Sequence, residues 1–317
     1  MSKAEFNEAP SKTAAVHSVH EFAFSVPDLD EAERFFKAFG LDVRREDSHL
    51  ALYAFGHAHK WGRILKGERK CLLWLTLGIF EEDLAAFEQK LGAPDINRVP
   101  APPGATPDGI WITDPEGLPI QLVAAGKSSP SVKSARFFPP ESSESGRAPR
   151  RSQVDLVRPN RFSHLLMFTS DVDQSRRFYA DALGLRLSDH SGSVIAFMHS
   201  PHGSDHHLIA FAKSDGRGLH HTSWDVSSID DVALGSEQMA RAGYTRGWGL
   251  GRHVLGSNYF RYIRDPWGSY AEYSFDIDFI PAGLDWPAAD YLPEDSLYVW
   301  GPPVPEDFVV NFEKGQA

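Results

Sequence analysis

FAFSVPDLDEAERFFKAFGLDV, residues 22–43, decides how this chain is read. Its first part aligns without a gap on LLMFTSDVDQSRRFY at 165–179, and both run on into a Gly-Leu pair, Gly40-Leu41 and Gly184-Leu185. Such a repeat is read before any single element, because missing it misassigns the whole fold. Each copy begins as an apolar strand, reaches an aspartate able to cap a helix, continues as an amphipathic stretch and closes at a glycine. A second matching pair, ITDPEGLPIQLV (112–123) and IRDPWGSYAEYSF (263–275), reads as strand, Asp-Pro-x-Gly turn and strand. Between these markers each half carries another helical stretch, EEDLAAFEQKLG (81–92) and IDDVALGSEQMARAG (229–243). Each half therefore holds two strand–helix–strands units. The expected fold is α+β, with two domains of paired βαβββ modules forming curved, barrel-like mixed sheets.

The repeat sets the boundaries. A flexible N-terminus (1–15) is expected before a first domain at 16–125. Residues 126–154, rich in Ser, Pro and Arg without a period, read as a linker. The second domain spans 155–277. The tail, 278–317, holds Trp286, Tyr291, Tyr298, Trp300 and Phe308, too aromatic for a disordered end, and is expected to pack on the second domain.

Composition narrows the function. With 317 residues, 42% of them apolar, two ordinary cores can be filled. Cys71 is the single cysteine, which excludes an internal disulfide and a cysteine-rich zinc site and points to a cytoplasmic setting. The first residues lack a signal-peptide apolar run, and no stretch reaches the roughly 20 apolar residues of a membrane span. The net charge of −11, without a basic stripe, argues against a nucleic-acid partner.

Nine of the 14 histidines fall between His164 and His253, including the pairs His206-His207 and His220-His221. Glu272 lies in the last strand of the same half, opposite Gln121 of the first copy. By the same match Glu21 stands opposite His164, and a looser match places Leu73 opposite His221. Only the second half retains a full donor set. Two imidazoles and a carboxylate from three strands of a curved sheet form one face on a metal and leave the other positions open; Fe(II) suits the set, and Zn(II) would accept the same donors. A lone strand histidine is more often a packed residue than a ligand, so the weight rests on the three positions together. Strand alternation leaves His220 and His221 open as alternatives: His220 shares its face with Trp224 and Val226, and His221 shares its own with Ser223 and Asp225.

RFSHLLMFTSDV, HHLIAF, GLHHTSWDV and GRHVLGSNYFRYIRDPWGSYAEY resemble the type I extradiol ring-cleavage dioxygenases of the vicinal oxygen chelate superfamily, over about residues 16–277. In that family the ligand is the second histidine of the His-His pair, and the glutamate follows a Tyr by ten residues and a Gly-Arg-His by nineteen, as here. The resemblance implies His164, His221 and Glu272 as ligands of Fe(II), with Mn(II) as the other possibility. It implies His207 as acid–base catalyst, and Tyr262 and His253 as catalytic groups that hydrogen-bond the substrate oxygens. A catechol-type diol and dioxygen would be the reactants, a muconic semialdehyde the product, and a homo-oligomer the usual assembly.

Departures bear on the substrate. Val254, Leu255 and Gly256 stand where biphenyl-diol members carry polar groups, and arginines that grip a carboxylate in homoprotocatechuate members have no clear counterpart, Trp248 lying near one such position. Trp248 and Leu255 are therefore expected at the substrate, and an uncharged diol is favoured. VWGPPVPEDF (299–308) looks like the C-terminal lid of the homoprotocatechuate group. His206 is expected to be solvated, Glu21 to lie at a surface or edge, and Asp225 and Glu237 to be solvated or structural charges. The competing readings are a glyoxalase or isomerase of the same superfamily, normally with four protein ligands, and a metal-free resistance protein that sequesters an aromatic molecule.

Overall fold

The computed structural model describes residues 14–94, 96–136 and 149–313. The first half runs β1 (Ser18–Val26), α1 (Leu29–Phe39), β2 (Asp42–Glu46), β3 (His49–Tyr53), β4 (Lys60–Lys66), β5 (Cys71–Ile79), α2 (Leu84–Lys90), β6 (Ile110–Thr113) and β7 (Pro119–Ala124). The second runs β8 (Arg161–Thr169), α3 (Val172–Asp181), β9 (Arg186–Ser191), β10 (Ile195–His199), β11 (Ser204–Asp205), β12 (Ile209–Lys213), β13 (Gly218–Asp225), α4 (Ile229–Arg241), β14 (Gly247–His253), β15 (Tyr259–Arg264) and β16 (Tyr270–Phe275). The tail adds β17 (Phe279–Ile280), α5 (Pro293–Ser296) and β18 (Tyr298–Trp300). Both repeated aspartates cap helices: Asp28 accepts from the N–H of Asp30 and Glu31, and Asp171 from that of Gln174. At Gly40, φ is +98°, and an added Cβ would lie 2.1 Å from the Val157 carbonyl oxygen, so only glycine fits this close approach between the halves.

The first sheet has the order β2-β3-β4-β1-β5-β7-β6, and the second β18-β14-β15-β16-β13-β8-β12-β10-β9. Strand for strand they match, with one difference from the paired βαβββ expectation: nothing in the first sheet corresponds to β14. The segment VPAPPG (99–104) lies there, and its neighbour Arg98 makes only an isolated bridge to Ile112. Three prolines without N–H groups leave too few donors for a ladder.

Period-two alternation sorts each strand of the second sheet between two apolar sides. Leu165, Met167, Ile209 and Phe211 face the main core, whereas Leu166, Phe168, Ala210 and Ala212 line the concave side. The main core does not divide at the linker. Phe22 packs on Phe162 and Trp224, Phe39 stacks on Tyr273 at 3.9 Å, and Gln238 donates to the Ala38 carbonyl. At the N-terminus, residues 1–13 lie outside the described ones, but Ala14 and Ala15 are packed rather than flexible: Ala15 is fully buried and the Val16 N–H donates to Leu183 O. Of the linker, 137–148 lie outside the described residues.

Lys70 of the first half and Asp265 of the second form a buried ion pair, their side chains 4% and 3% exposed. Lys70→Met would leave the carboxylate buried without its partner, and should cost about 3–5 kcal/mol of stability in urea unfolding. Adding Asp265→Asn should recover most of that loss.

Candidate metal centre

His164 on β8, His221 on β13 and Glu272 on β16 sit on neighbouring strands, where Ser223 pairs with both His164 and Glu272. One ligand atom from each lies within 4.8 Å of the others. His164 Nε2 is 3.3 Å and His221 Nε2 3.6 Å from Glu272 Oε2. Two donors about 2.1 Å from one ion and at right angles would lie about 3 Å apart, close to these separations. All three residues are buried, yet His221 Nε2 and Glu272 Oε2 have no hydrogen-bond partner. Buried polar atoms left unpaired cost about 1–3 kcal/mol each, so their convergence fits a metal ion in the gap between them.

A β-bulge explains why both histidines of the His220-His221 pair turn to the concave side. In the β13–β8 ladder Leu219 pairs with Met167 and His221 with Leu166, so His220 is the extra residue. The corresponding ladder of the first half pairs Trp74 with Ala23 and Leu72 with Phe24, leaving Leu73 as the bulge. The counterpart of His221 is thus Trp74, not Leu73, which matches His220: the looser match over the second helix is off by one residue, and the bulge itself is shared by both halves. Register also sets Glu21 opposite His164, Gln121 opposite Glu272, Trp111 opposite Tyr262 and Lys60 opposite His207. Glu21 is buried rather than at a surface, paired with Arg63 at 3.2 Å, and Gln121 accepts from Thr76 Oγ1.

Each metal-facing nitrogen is bare because the other ring nitrogen is engaged. Ser163 Oγ donates to Asp205 and so accepts from His164 Nδ1–H at 3.1 Å. His220 Nε2–H donates to the Phe308 carbonyl at 2.8 Å, so its Nδ1 accepts from His221 Nδ1–H at 2.7 Å. Burial depresses His220 to about 4, which keeps it neutral despite the favourable carbonyl. Burial, then the neighbouring His220, His164 and His253, push His221 well below the ordinary imidazole value. Burial alone would raise Glu272, but the close approach of the His164 ring, then of His253, outweighs it and holds the carboxyl below its usual range. A neutral imidazole beside an ionised carboxylate is the state a metal requires of its ligands.

Around this face lie His207, His253, Tyr262 and Leu255, all lining one cavity with His164 and His221. His207 is held far below its usual value by burial and then by His164 and the other imidazoles. His206, expected in solvent, is buried instead: its Nε2 meets Asp189 Oδ2 at 2.8 Å and its Nδ1 meets His207 Nδ1 at 3.1 Å. His253 Nδ1–H donates to Leu297 O at 2.7 Å, and its Nε2 accepts from the Tyr262 hydroxyl at 2.9 Å. Trp248, expected at the substrate, does not line the cavity. Its ring packs behind Tyr262 against Phe260 and Phe308, and its N–H donates to Pro302 O, because β14 is the strand on which β18 of the tail docks. Asp225 is a buried structural charge beside Arg161, and Glu237 is exposed. A larger open groove, with Arg69, Arg246, Arg264 and Trp267, holds none of these residues.

Sequence reading missed Asn258, which donates to Glu272 Oε1 at 3.1 Å and to Ser274, and the Ser163–Asp205 and His206–Asp189 supports. Nothing in one chain's pattern marks an asparagine 14 residues before a glutamate as its partner; the β15–β16 ladder creates the contact.

Over 300 residues the chain is 53% identical to "Metapyrocatechase 2" of Cupriavidus necator, covering 94% of this chain and 93% of that protein. It belongs to the extradiol dioxygenases. The family model for the Glyoxalase/Bleomycin resistance protein/Dioxygenase superfamily matches residues 161–273, the half that holds the donors. "Iron-dependent extradiol dioxygenase" of Rhodococcus jostii (strain RHA1) is 28% identical over 165 residues, 47% of this chain and 52% of that one. In fold the enzyme is similar to the Mn(II)-bound glyoxalase from Novosphingobium aromaticivorans, with a TM-score of 0.72 at 22% identity, covering 95% of this chain and 98% of that one. Fe(II), with Mn(II) as the alternative, fits the donor set. Glu272→Gln removes the charged oxygen donor, and metal content measured by plasma mass spectrometry should fall from one ion per chain by about 10-fold or more.

Proposed function

We propose that this enzyme opens the ring of a catechol-type diol with dioxygen in the meta sense, giving a muconic semialdehyde, with His164, His221 and Glu272 as metal ligands. The observation that carries the reading is the convergence of two orphaned buried ligand atoms, His221 Nε2 and Glu272 Oε2, with His221 lining a cavity that also presents His164, His207, His253 and Tyr262. When bound, Fe(II) or Mn(II) supplies Lewis acidity toward the diol and an electron path between diol and dioxygen. The protein's own groups handle position and protons. His207, neutral and desolvated in the cavity wall, would take a proton from a diol hydroxyl and return it to the reacting oxygen as general acid. Tyr262 stays protonated, because burial and then the Glu272 charge raise it well above the usual phenol value; its one proton goes to His253 Nε2, so its oxygen accepts a hydrogen bond from a diol hydroxyl. His253, anchored on Leu297 O, orients Tyr262 and the diol.

Specificity follows from the remaining wall, which offers Leu166, Ile195, Phe197, Ala212, Leu255 and Val309 to the ring. No lysine or arginine is among the lining residues, so nothing compensates a substrate carboxylate, and an uncharged diol is the fitting class. The glyoxalase alternative needs a fourth protein ligand, whereas the described residues bring three together. The reading includes a cytoplasmic homo-oligomer. No helix among the described residues is long and apolar enough to cross a membrane, and Leu292, Val299, Trp300, Val310 and Phe312 are exposed apolar side chains of the tail, suited to a second copy.

Fe(II)-loaded protein mixed anaerobically with a panel of catechols should turn yellow on admission of air, and should turn over uncharged diols in preference to carboxylated ones. A colourless result with every diol, at one iron per chain, would sink the reading. His207→Ala should keep metal and diol binding while kcat falls about 10²- to 10⁴-fold; loss of the metal instead would make His207 a ligand.

A further inference from the structure

Three histidines of the centre are fastened from behind by one segment, the tail after Phe275. The Leu297 carbonyl accepts from His253 Nδ1–H, and the Phe308 carbonyl accepts from His220 Nε2–H. The Ala289 N–H donates to Asp189 Oδ1, whose other oxygen holds His206, the neighbour of His207. Carbonyl oxygens can only accept, so each dictates which nitrogen of the facing ring carries the proton. The Phe308 contact has the longest reach: it places the proton of His220 on Nε2, which leaves Nδ1 to accept from His221, which in turn bares His221 Nε2 toward Glu272.

We propose that the C-terminal tail is a built-in part of the metal centre, its Phe308 carbonyl acting through the positioning residue His220 to fix the metal-binding tautomer of His221. The proposal rests on His221 as a ligand. Tail docking and ligand readiness are then linked, and the tail is anchored for this at both ends of the contact. The Phe308 ring packs among Trp248, Tyr262 and Tyr270. Beyond it, Asn311 donates to Gly216 O and Arg217 O, and the Glu313 carboxylate accepts from Leu72 N on β5 and Leu219 N on β13, so one side chain ties the tail to both sheets. Gly218 makes room for this: an added Cβ would lie 2.4 Å from Asn311 Oδ1. Without the carbonyl, a neutral His220 is free to carry its proton on Nδ1, and a proton there turned toward His221 Nδ1 forces the His221 proton onto the metal-facing nitrogen.

Two full-length substitutions separate this relay from simple packing. Glutamine at position 220 can donate to Phe308 O through its amide and accept from His221 through its oxygen, whereas leucine can do neither. Metal-free protein carrying 15N-histidine, read by long-range 1H–15N correlation, should show His221 as the Nδ1–H tautomer in the parent and in His220→Gln, and as a mixture in His220→Leu. Mn(II) titration followed by EPR should show the dissociation constant raised about 10- to 100-fold in His220→Leu, and little changed in His220→Gln. The paired substitution Asn311→Ala/Glu313→Ala, remote from the donors, should reproduce part of the leucine defect in both readouts. An unchanged His221 tautomer in His220→Leu, or equal losses in the glutamine and leucine variants, overturns the relay. A parent-like response of the Asn311/Glu313 variant overturns the tail's part in it. Failure of the parent to bind Mn(II) at all would refute the ligand set, and the tautomer spectra would still decide the relay.

Discussion

Everything around the centre is arranged so that two nitrogens and one carboxylate oxygen can stay buried, correctly protonated and unpaired in the same small space. Water would satisfy these atoms more cheaply, and a protein that holds them dry gives up stability that must be recovered elsewhere. The recovery is visible behind each donor. Ser163 and Asp205 stand behind His164, His220 and the Phe308 carbonyl behind His221, and Asn258 beside Glu272. These supports fix orientation and proton position together, which is what a metal demands of its ligands before it arrives.

The first half shows the same scaffold released from that demand. In the positions of His164, His221, Glu272 and Tyr262 stand Glu21, Trp74, Gln121 and Trp111, and Glu21, Gln121 and Trp111 are paired locally, with Arg63, Thr76 and Thr106. Trp74 and Trp111 pack against each other with ring centroids 6.4 Å apart. A concave surface that in one half presents unpaired donors carries in the other a hollow lined by Glu21, Lys60, Arg63, Thr76 and Gln121, where Glu21 pairs with Arg63 and Gln121 with Thr76. The first half contributes to the enzyme through the shared core, where Phe22 and Phe39 pack on Trp224 and Tyr273, one residue from Ser223 and Glu272 respectively.

Much of this was legible in the residues. The gapless match of 22–36 on 165–179 located both helix caps and both first strands, because a cap and an alternating strand are local events that a short stretch can specify alone. The same match singled out the second half as the one with donors. The looser match over the second helix is off by one residue, which sets Leu73 against His221 instead of His220, and the bulge in β13 breaks the alternation that would otherwise tell His220 from His221. The burial of His206 and the removal of Trp248 from the cavity wall were illegible for another reason, since Asp189 and the tail that produce them lie far away along the chain.

The sequence by itself determined the duplicated α+β plan, the retained His, His and Glu donors and the chemistry they allow, because these depend on residue type and on short-range pattern. Tertiary structure alone decided which nitrogen of each ring is bare, which ring faces the cavity, and that a tail carbonyl stands behind the ligand His221. Those are properties of hydrogen-bond partners brought together across 88 residues of chain in the case of His220 and Phe308, and no local pattern encodes a partner that only the folded sheet brings within reach.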